Sequence, residues 1–276
     1  MTPTPDHPHA TPDQLRRYLA RVGLAEAATG DATAAQLAAL HEAHLRAIPF
    51  ENLEIHLGRP MRLEPEALFA DLADRRRGGY CFQMNELFAL VAAALGYGVE
   101  RFAARVRFGN PMPMPPRSHQ CLRITAADGS RWFCDVGFGG ASPIRPLPWS
   151  FDEPVDQQLA GYVLTRGAAG EVVVRTRLHG GDWQDMIVFT EEVQQPIDFR
   201  YANFALSHMP DSKFVVSRIA SRLVVGARLN FQDGVLRRIT ATDVTVEQLT
   251  PAAEEHALRG LFGLELPDAL PWLAER

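Results

Sequence analysis

The hydrophobic pattern of this chain changes its period once, near Val99, and that change limits the possible folds. Before Val99 the apolar residues recur at helical spacing, and after it they alternate as in β-strands. Capping and stop residues predict four helices, over 11–23, 33–48, 65–72 and 81–95. The layout of four helices, a β-rich middle and a mixed end predicts an α+β fold.

Short alternating runs predict the strands of the second part. In the middle of the chain they cover 103–108, 119–125, 132–136, 162–165, 172–178 and 186–189. Beyond residue 205 they cover 214–220, 222–231 and 235–240, and a final helix is predicted over 252–262.

Composition excludes several classes of protein. Of the 276 residues, 46% are hydrophobic and 22% are charged, as in ordinary globular proteins. The net charge of −5 and the isoelectric point of about 6.0 argue against nucleic acid as a partner. Three cysteines make a disulfide framework unexpected, the first residues hold no apolar signal core, and the longest apolar stretch, 87–95, is too short to cross a bilayer. We therefore expect a reduced, cytoplasmic protein with no membrane partner; its oligomeric state stays open.

Cys81 follows two glycines, Gly78 and Gly79, at the predicted start of an apolar helix. The free N–H groups and the positive dipole end of a helix favour an ionised sulfur. His119 and Asp135 lie downstream on what is predicted to be one β-hairpin. A cysteine, a histidine and an aspartate on rigid elements are the parts of an activated thiol nucleophile, its base and its orienting group. The simpler alternative is a small buried cysteine.

The separation of His119 and Asp135 makes the hairpin prediction specific. A two-residue turn at 128–129 would place Asp135 on the sheet face away from His119, because side chains alternate along a strand. A loop with an odd number of residues, such as 127–129 with its final glycine at positive φ, pairs Asp135 with Cys121 instead. His119 then lies one diagonal away on the same face. We therefore predict an odd loop or a bulge in this hairpin.

Five short motifs occur in a characteristic order. The most specific are RGGYCFQMN at 77–85 and DVGFG at 135–139, and shorter ones are YLARVG at 18–23, IPFENL at 48–53 and DSKF at 211–214. Together they resemble the arylamine N-acetyltransferases. The resemblance is strongest from about residue 15 to 140 and looser beyond.

The resemblance implies both an architecture and a reaction. The architecture has three parts: a helical bundle over 1–96 that carries the nucleophile, a β-barrel over 97–205 that carries the base and the aspartate, and an α/β lid over 206–276. In the reaction, acetyl-CoA acetylates the cysteine, and an arylamine, an arylhydrazine or an N-hydroxyarylamine then takes the acetyl group in a ping-pong cycle. Such an enzyme of xenobiotic metabolism uses acetyl-CoA as a co-substrate and needs no bound cofactor.

Residues near the motifs are assigned to the two substrates. The candidates for contact with the acceptor are Phe50, Phe138, Phe204 and Ser118. The glycine-rich segment 137–140 is expected to expose its amides toward CoA. The candidates for CoA contact are Gly137, Gly139, Gly140 and Ser212.

Three polar residues are assigned to support of the nucleophile. Arg77 and Glu51 are expected to form an internal ion pair that fixes the loop presenting Cys81. Asn85 follows Cys81 by four positions, on the same helical face, and is expected to orient local backbone.

Other interpretations use the same residues. A papain-like or transglutaminase-like thiol hydrolase or acyltransferase has the same three side chains, and a non-catalytic binding module predicts an unreactive Cys81. Cys121 and Cys134 with His119 suggest zinc, but Cys134 and Asp135 are predicted on opposite faces of one strand, so no metal is expected. An acetyl adduct on Cys81 would favour acetyl transfer over the other two interpretations.

Overall fold

The computed structural model describes residues 8–24, 31–110, 112 and 114–274. The first seven residues, considered above for a signal core, lie outside these ranges. The helices are α1 (Pro12–Val22), α2 (Ala34–Ala47), α3 (Leu53–His56), α4 (Pro65–Leu68, continued by a π-helical turn, Phe69–Asp74), α5 (Cys81–Ala94), α6 (Phe199–His208), α7 (Lys213–Val216), α8 (Pro251–His256, continued by a π-helical turn, Ala257–Leu261) and α9 (Pro271–Ala274).

The strands form two antiparallel sheets. They are β1 (Phe50–Glu51), β2 (Gly98–Val106), β3 (Arg117–Thr125), β4 (Arg131–Cys134), β5 (Leu147–Pro148), β6 (Val155–Gln157), β7 (Ala160–Arg166), β8 (Val172–Leu178), β9 (Gln184–Phe189), β10 (Ile219–Val224), β11 (Ala227–Gln232), β12 (Val235–Ile239) and β13 (Val244–Gln248). The larger sheet has the order β5-β4-β3-β2-β9-β8-β7-β6, and the smaller has the order β1-β10-β11-β12-β13.

Helix α5 is the centre of the N-terminal helical part. Every residue of its first twelve, 81–92, is buried, most of them apolar, which places the helix in the core. The predicted signals set the ends of α1, where Thr11 and Gln14 form a capping box and Gly23 ends the helix at φ 75°. The four predicted helices are confirmed, although the third continues through its π-helical turn to Asp74.

The eight-stranded sheet curves into a nearly closed, barrel-like layer. Its inner face packs large side chains such as Phe102, Phe133 and Phe189, all buried. The six strands predicted for the middle of the chain are confirmed within a few residues. One face of β3 packs on α5, which brings this sheet against the helix that begins with Cys81.

The C-terminal part is where the predictions fail most. The predicted strand 214–220 is wrong as far as residue 218. Ser212 accepts a hydrogen bond from Phe214 N and starts α7, and β10 begins only at Ile219. The predicted single strand 222–231 is wrong, because Gly226 at φ 70° turns the chain between β10 and β11. Helix α6 and strand β13 had no counterpart in the prediction.

Strand β1 links the first and last parts of the chain. Phe50 pairs with Ser221 and Glu51 with Ala220 of β10. Residues of the IPFENL motif therefore complete the C-terminal sheet. The division of the chain at residues 96 and 205 stays a prediction. Over the described part of the chain, no helix is long and apolar enough to cross a membrane.

Candidate active site

Cys81 is the first residue of α5. Gly78 and Gly79, just before Tyr80, let the chain that leads into the helix pack closely against the residues around it. A Cβ on Gly78 would lie 2.1 Å from the carbonyl oxygen of Pro49, so the chain approaches β1 more closely than any side chain permits. Tyr80 caps the helix without a side-chain hydrogen bond. The N–H groups of the first turn therefore remain available for negative charge at the sulfur or at a bound carbonyl oxygen.

The hairpin that carries His119 and Asp135 has the predicted odd register. Thr125 pairs with Arg131, and the N–H of Ala126 donates to the carbonyl oxygen of Ser130. This leaves a three-residue loop, 127–129, in which Gly129 has φ 83°. The same register carried one residue past the last pair, Leu122 with Cys134, places Asp135 opposite Cys121. His119 and Asp135 therefore share one face of the sheet, and the prediction is confirmed.

A bulge precedes His119 in the neighbouring pair of strands. His119 pairs with Ala104, but the next pair is Arg117 with Arg105, which leaves Ser118 unpaired. Bulges re-aim side chains next to active sites. Here the carbonyl oxygen of Ser118 lies 3.7 Å from Cys81 Sγ and accepts its hydrogen bond.

Cys81, His119 and Asp135 form one hydrogen-bonded chain. His119 Nε2 lies 2.7 Å from Asp135 Oδ2, and the imidazole also has a hydrogen bond with the Cys81 side chain. All three are buried, at 3%, 3% and 0% exposure. Burial lowers the pKa of His119, but the Asp135 charge and the hydrogen bonds to Asp135 and Cys81 outweigh it and raise this pKa to about 10. The imidazole of His119 therefore carries a proton on both nitrogens at neutral pH.

The carboxylate of Asp135 has partners besides His119. Asn85 Nδ2 donates to Oδ1 at 3.0 Å, and the main-chain N–H of Gly137 donates to the same oxygen at 3.0 Å. Asn85 thus orients both the local backbone, as predicted, and the carboxylate itself. Gly137 packs so tightly that an added Cβ would lie 2.8 Å from Cys81 Cα.

Arg77 and Glu51 form the predicted ion pair. Arg77 Nη2 lies 2.9 Å from Glu51 Oε1, and each residue is 1% exposed. The carboxylate also accepts hydrogen bonds from the main-chain N–H groups of Gly78 and Leu53. The pair therefore ties β1 to the loop that leads into Cys81.

The aromatic candidates occupy different surroundings. The ring of Phe138 meets His119 edge-on at a centroid distance of 5.5 Å. Phe50 is 7% exposed and packs against Phe214 and Gly139, which makes it part of the core beside the site. Phe204 is 62% exposed on α6 and stacks on a histidine of the same helix.

The glycine-rich segment is more enclosed than expected. Gly137 N donates to Asp135 Oδ1 and Phe138 N donates to Ser142 Oγ, so the expectation of exposed amides is wrong for these two groups. An added Cβ on Gly140 would lie 2.9 Å from the Asn230 side chain of β11.

The hydroxyl of Ser212 also has internal partners. It donates to the carbonyl oxygen of Leu206 and accepts from Phe214 N as the cap of α7.

The two remaining cysteines lie in separate cores. Cys134 packs in the helical core and Cys121 in the core of the barrel-like sheet, and burial raises the pKa of both thiols. In the described ranges no three histidine, cysteine, aspartate or glutamate side chains are grouped to hold a metal ion.

Two residues that the sequence analysis did not connect to the site contact it closely. His41 of α2 accepts a hydrogen bond from the main-chain N–H of Asp135. Arg228 of β11 donates to the carbonyl oxygens of Gly139 and Ser142. Both lie far from Asp135 in the sequence, and neither has a local pattern that reveals the contact.

Comparison with known proteins gives consistent matches over most of the chain. Residues 33–270 match the N-acetyltransferase family. The arylamine N-acetyltransferase of Mycolicibacterium smegmatis is 37% identical over 269 residues, covering 92% of this chain and 93% of its own. An arylamine N-acetyltransferase / N-hydroxyarylamine O-acetyltransferase of Salmonella typhimurium is 37% identical over 185 residues, covering 67% of this chain and 65% of its own.

A solved structure agrees in fold as well as in sequence. The Mycobacterium marinum arylamine N-acetyltransferase, in complex with CoA, superposes with a TM-score of 0.85 at 33% identity, covering 91% of this chain and 92% of that one. Agreement in sequence and in fold over nine-tenths of both chains leaves one assignment: the chain belongs to the arylamine N-acetyltransferase family.

Proposed function

We propose that the protein transfers an acetyl group from acetyl-CoA to an arylamine, an arylhydrazine or an N-hydroxyarylamine through an acetyl-thioester on Cys81. The observation that carries the proposal is the hydrogen-bonded chain of Cys81, His119 and Asp135. The CoA bound in the M. marinum relative supports the donor, and the name of the Salmonella relative supports both classes of acceptor.

The first half-reaction acetylates Cys81. Because the proton resides on His119, the sulfur attacks the thioester carbonyl and forms an oxyanion intermediate, whose carbon–sulfur bond to CoA then breaks. His119 gives its proton to the leaving CoA sulfur. First-turn N–H groups of α5 face the developing oxyanion, and one such donor is worth on the order of 3 kcal/mol in comparable sites.

The second half-reaction returns the enzyme to its starting state. The acceptor nitrogen, or the oxygen of a hydroxylamine, attacks the acetyl carbonyl and loses a proton to His119. The bond to the Cys81 sulfur then breaks, leaving the sulfur beside the imidazolium. Asp135 holds the ring throughout and stabilises its charged form.

The substrate contacts follow from the surroundings of the imidazole. Phe138 is the proposed stacking surface for the arene because it already meets His119 edge-on. Phe50 and Phe204 are proposed as further walls, and Ser118 is proposed as a polar contact beside the nucleophile.

For CoA we propose contacts with the segment after the catalytic aspartate and with the start of α7. The residues are Gly137, Gly139, Gly140 and Ser212. Since several polar groups there have internal partners, these contacts are proposed chiefly as close packing against the backbone.

Location and partners are proposed from charge and cysteine chemistry. The cysteines Cys81, Cys121 and Cys134 are free thiols, which suits the reducing cytoplasm. The net charge of −5 argues against nucleic acid as a partner.

The test separates the two half-reactions. Incubation with acetyl-CoA alone should add one acetyl group to the Cys81 peptide, detected by mass spectrometry, and release one CoA thiol. An aromatic amine added next should remove the adduct and yield its N-acetyl product. Cys81→Ala is the control and should give neither. A stable, unacetylated Cys81 together with peptide cleavage would instead favour the papain-like alternative.

A further inference from the structure

His41 lies in α2, outside the motifs assigned to the site, yet it contacts the main chain of the catalytic segment. The side chain is 0% exposed. Its Nε2 lies 3.3 Å from the main-chain nitrogen of Asp135, and its Nδ1 lies 3.1 Å from the carbonyl oxygen of Ile144. The ring of Phe88 meets the imidazole edge-on from α5. One imidazole therefore joins the two ends of the segment that follows β4.

These two partners determine the protonation state of His41. The amide of Asp135 can only donate, so Nε2 must be unprotonated. The carbonyl of Ile144 can only accept, so Nδ1 must carry the proton. The imidazole is therefore neutral, in its Nδ1–H form. A second proton on Nε2 would face the donor N–H of Asp135 and break that hydrogen bond.

The surroundings keep this histidine neutral. Burial lowers the pKa of His41 to about 4, against a smaller opposing influence of the carbonyl hydrogen bond and of Asp135. The other charged or titratable groups that act on it are Arg228 of β11, which adds to the lowering, Glu42 beside it in α2, and His44 one turn further along.

Three successive main-chain N–H groups are held by side chains here. Asp135 N–H donates to His41, Val136 N–H donates to Asn85 Oδ1, and Gly137 N–H donates to the Asp135 carboxylate. Each of these acceptors comes from a different part of the chain. The backbone at the catalytic aspartate is therefore fixed before any substrate binds.

We propose that His41 is a positioning residue that fixes the main chain at Asp135 and thereby aims the Asp135 carboxylate at His119. The inference rests on the proposed roles of Cys81, His119 and Asp135. Loss of the His41 acceptor frees the Asp135 backbone to rotate, and a displacement of about 1 Å in such a site can lower the rate about a hundredfold.

His44 provides a matched control on the same helix. It is also 0% exposed, it also meets Phe88 edge-on, at 5.7 Å, and burial lowers its pKa as well. Its Nδ1 contacts the hydroxyl of Tyr18 instead of the catalytic segment. Replacing either histidine removes a buried imidazole, but only the His41 change removes an acceptor at Asp135.

The first experiment measures the reactivity of Cys81 without any acyl donor. Iodoacetamide alkylation of the Cys81 peptide is followed by mass spectrometry in His41→Leu, His41→Gln and His44→Leu. His41→Leu should lower the rate constant by about tenfold or more relative to His44→Leu, and His41→Gln, whose amide oxygen can accept from Asp135, should recover most of it. Equal rate constants in His41→Leu and His44→Leu would overturn the proposal, as would no recovery in a folded His41→Gln.

Acetylation kinetics place the effect in the chemical step. In His41→Leu the rate constant for Cys81 acetylation by acetyl-CoA should fall while KM for acetyl-CoA changes by less than about threefold. A rise in KM alone would contradict a positioning role. If no variant or wild-type protein reacts with acetyl-CoA while the alkylation pattern persists, the proposed donor is wrong and the role of His41 stands.

A measurement on the wild-type protein covers the case in which His41→Leu does not fold. With ¹⁵N-labelled histidine, nitrogen chemical shifts at pH 7 should show His41 as the neutral Nδ1–H tautomer, assigned by its absence in His41→Gln. An Nε2–H tautomer or a charged ring would overturn the proposal, because neither can accept from the Asp135 amide.

Discussion

The side chain of Asn85 joins helix α5, which begins with Cys81, to the carboxylate of Asp135, which contacts His119. Its Nδ2 lies 3.0 Å from Asp135 Oδ1 and 2.7 Å from the carbonyl oxygen of Gln120, and its Oδ1 accepts from Val136 N at 3.1 Å. Asn85 is one helical turn from Cys81. A single buried amide therefore sets the position of the sheet segment relative to the sulfur.

Replacing Asn85 with leucine should lower the rate of Cys81 acetylation by more than the loss of folding stability explains. The change removes a donor to Asp135 Oδ1, which keeps the N–H of Gly137, and it also removes the donor to the Gln120 carbonyl and the acceptor of the Val136 N–H. A hydrogen bond to a charged group is worth about 1.5–3 kcal/mol. We expect the acetylation rate constant of Cys81 to fall about 10- to 100-fold. Stopped-flow release of CoA thiol in single turnover measures it.

Gln83→Leu is the matched control for Asn85→Leu. Gln83 lies in the first turn of the same helix, is 3% exposed, and donates to the carbonyl oxygen of Arg62 rather than to the catalytic segment. It should change the free energy of unfolding while leaving the acetylation rate constant within about threefold. An equal loss of rate in both variants would show that Asn85 acts only through the packing of α5.

Gly137→Ala should disrupt the site by steric contact alone. The new Cβ would lie 2.6 Å from Asn85 Nδ2 and 2.8 Å from both Cα and O of Cys81, and two of these three atoms belong to the backbone. We expect a destabilisation of about 1–3 kcal/mol, as for overpacking, together with loss of Cys81 acetylation. Chemical denaturation and the adduct assay measure both quantities.

A glycine at the far end of the same hairpin is the control for Gly137. Gly129 has φ 83° and nothing within 4 Å of an added Cβ, so Gly129→Asn meets no atom and asparagine tolerates this conformation. It should keep full acetylation. Normal acetylation in Gly137→Ala would mean that the segment shifts freely and is not fixed as the contacts indicate.

The sequence predicted the register that brings His119 and Asp135 together because that register is set locally. Whether His119 and Asp135 share a sheet face depends only on the number of residues in one loop, and Gly129 supplied the positive φ that an odd loop needs. The ion pair of Arg77 and Glu51 was predictable from their places in two motifs that the fold brings together. Both predictions used contacts within or between short motifs.

The parts that were missed depend on long-range packing. The contact of His41 with Asp135 joins residues 94 positions apart, and no spacing rule connects a helix to a distant strand end. Helix α6 lacks an isolated signal, because its partly buried face packs on surfaces from other segments. The turn at Gly226 lies within an almost continuous alternating run, so periodicity alone merged β10 and β11.

Breaking the ion pair of Arg77 should be costly because its partner would stay buried. Arg77→Met leaves the Glu51 carboxylate, 1% exposed, without its cation. We expect a loss of about 3–5 kcal/mol of stability by chemical denaturation, and partial recovery in the double variant Arg77→Met/Glu51→Gln. Arg16→Met breaks an exposed pair with Asp13 and should change stability far less. Equal effects of Arg77→Met and Arg16→Met would contradict the structural role.

The protonation of His119 should depend on Asp135 and should make stability fall at alkaline pH. The folded pKa of about 10 lies above the ordinary value of 6.5, so the stabilisation from the charged ring is complete below about 6.5 and is lost as the pH rises through about 10. In Asp135→Asn the opposing effect of burial prevails, and the pKa of His119 should fall below its ordinary value. NMR titration of ¹³C-labelled histidine, assigned with His119→Gln, measures both proteins. The free energy of unfolding, measured with urea, should fall between pH 8 and about 10 in the wild type. It should change little over this range in Asp135→Asn. A wild-type His119 that titrates near 6.5 would show that the carboxylate does not hold the proton on the ring.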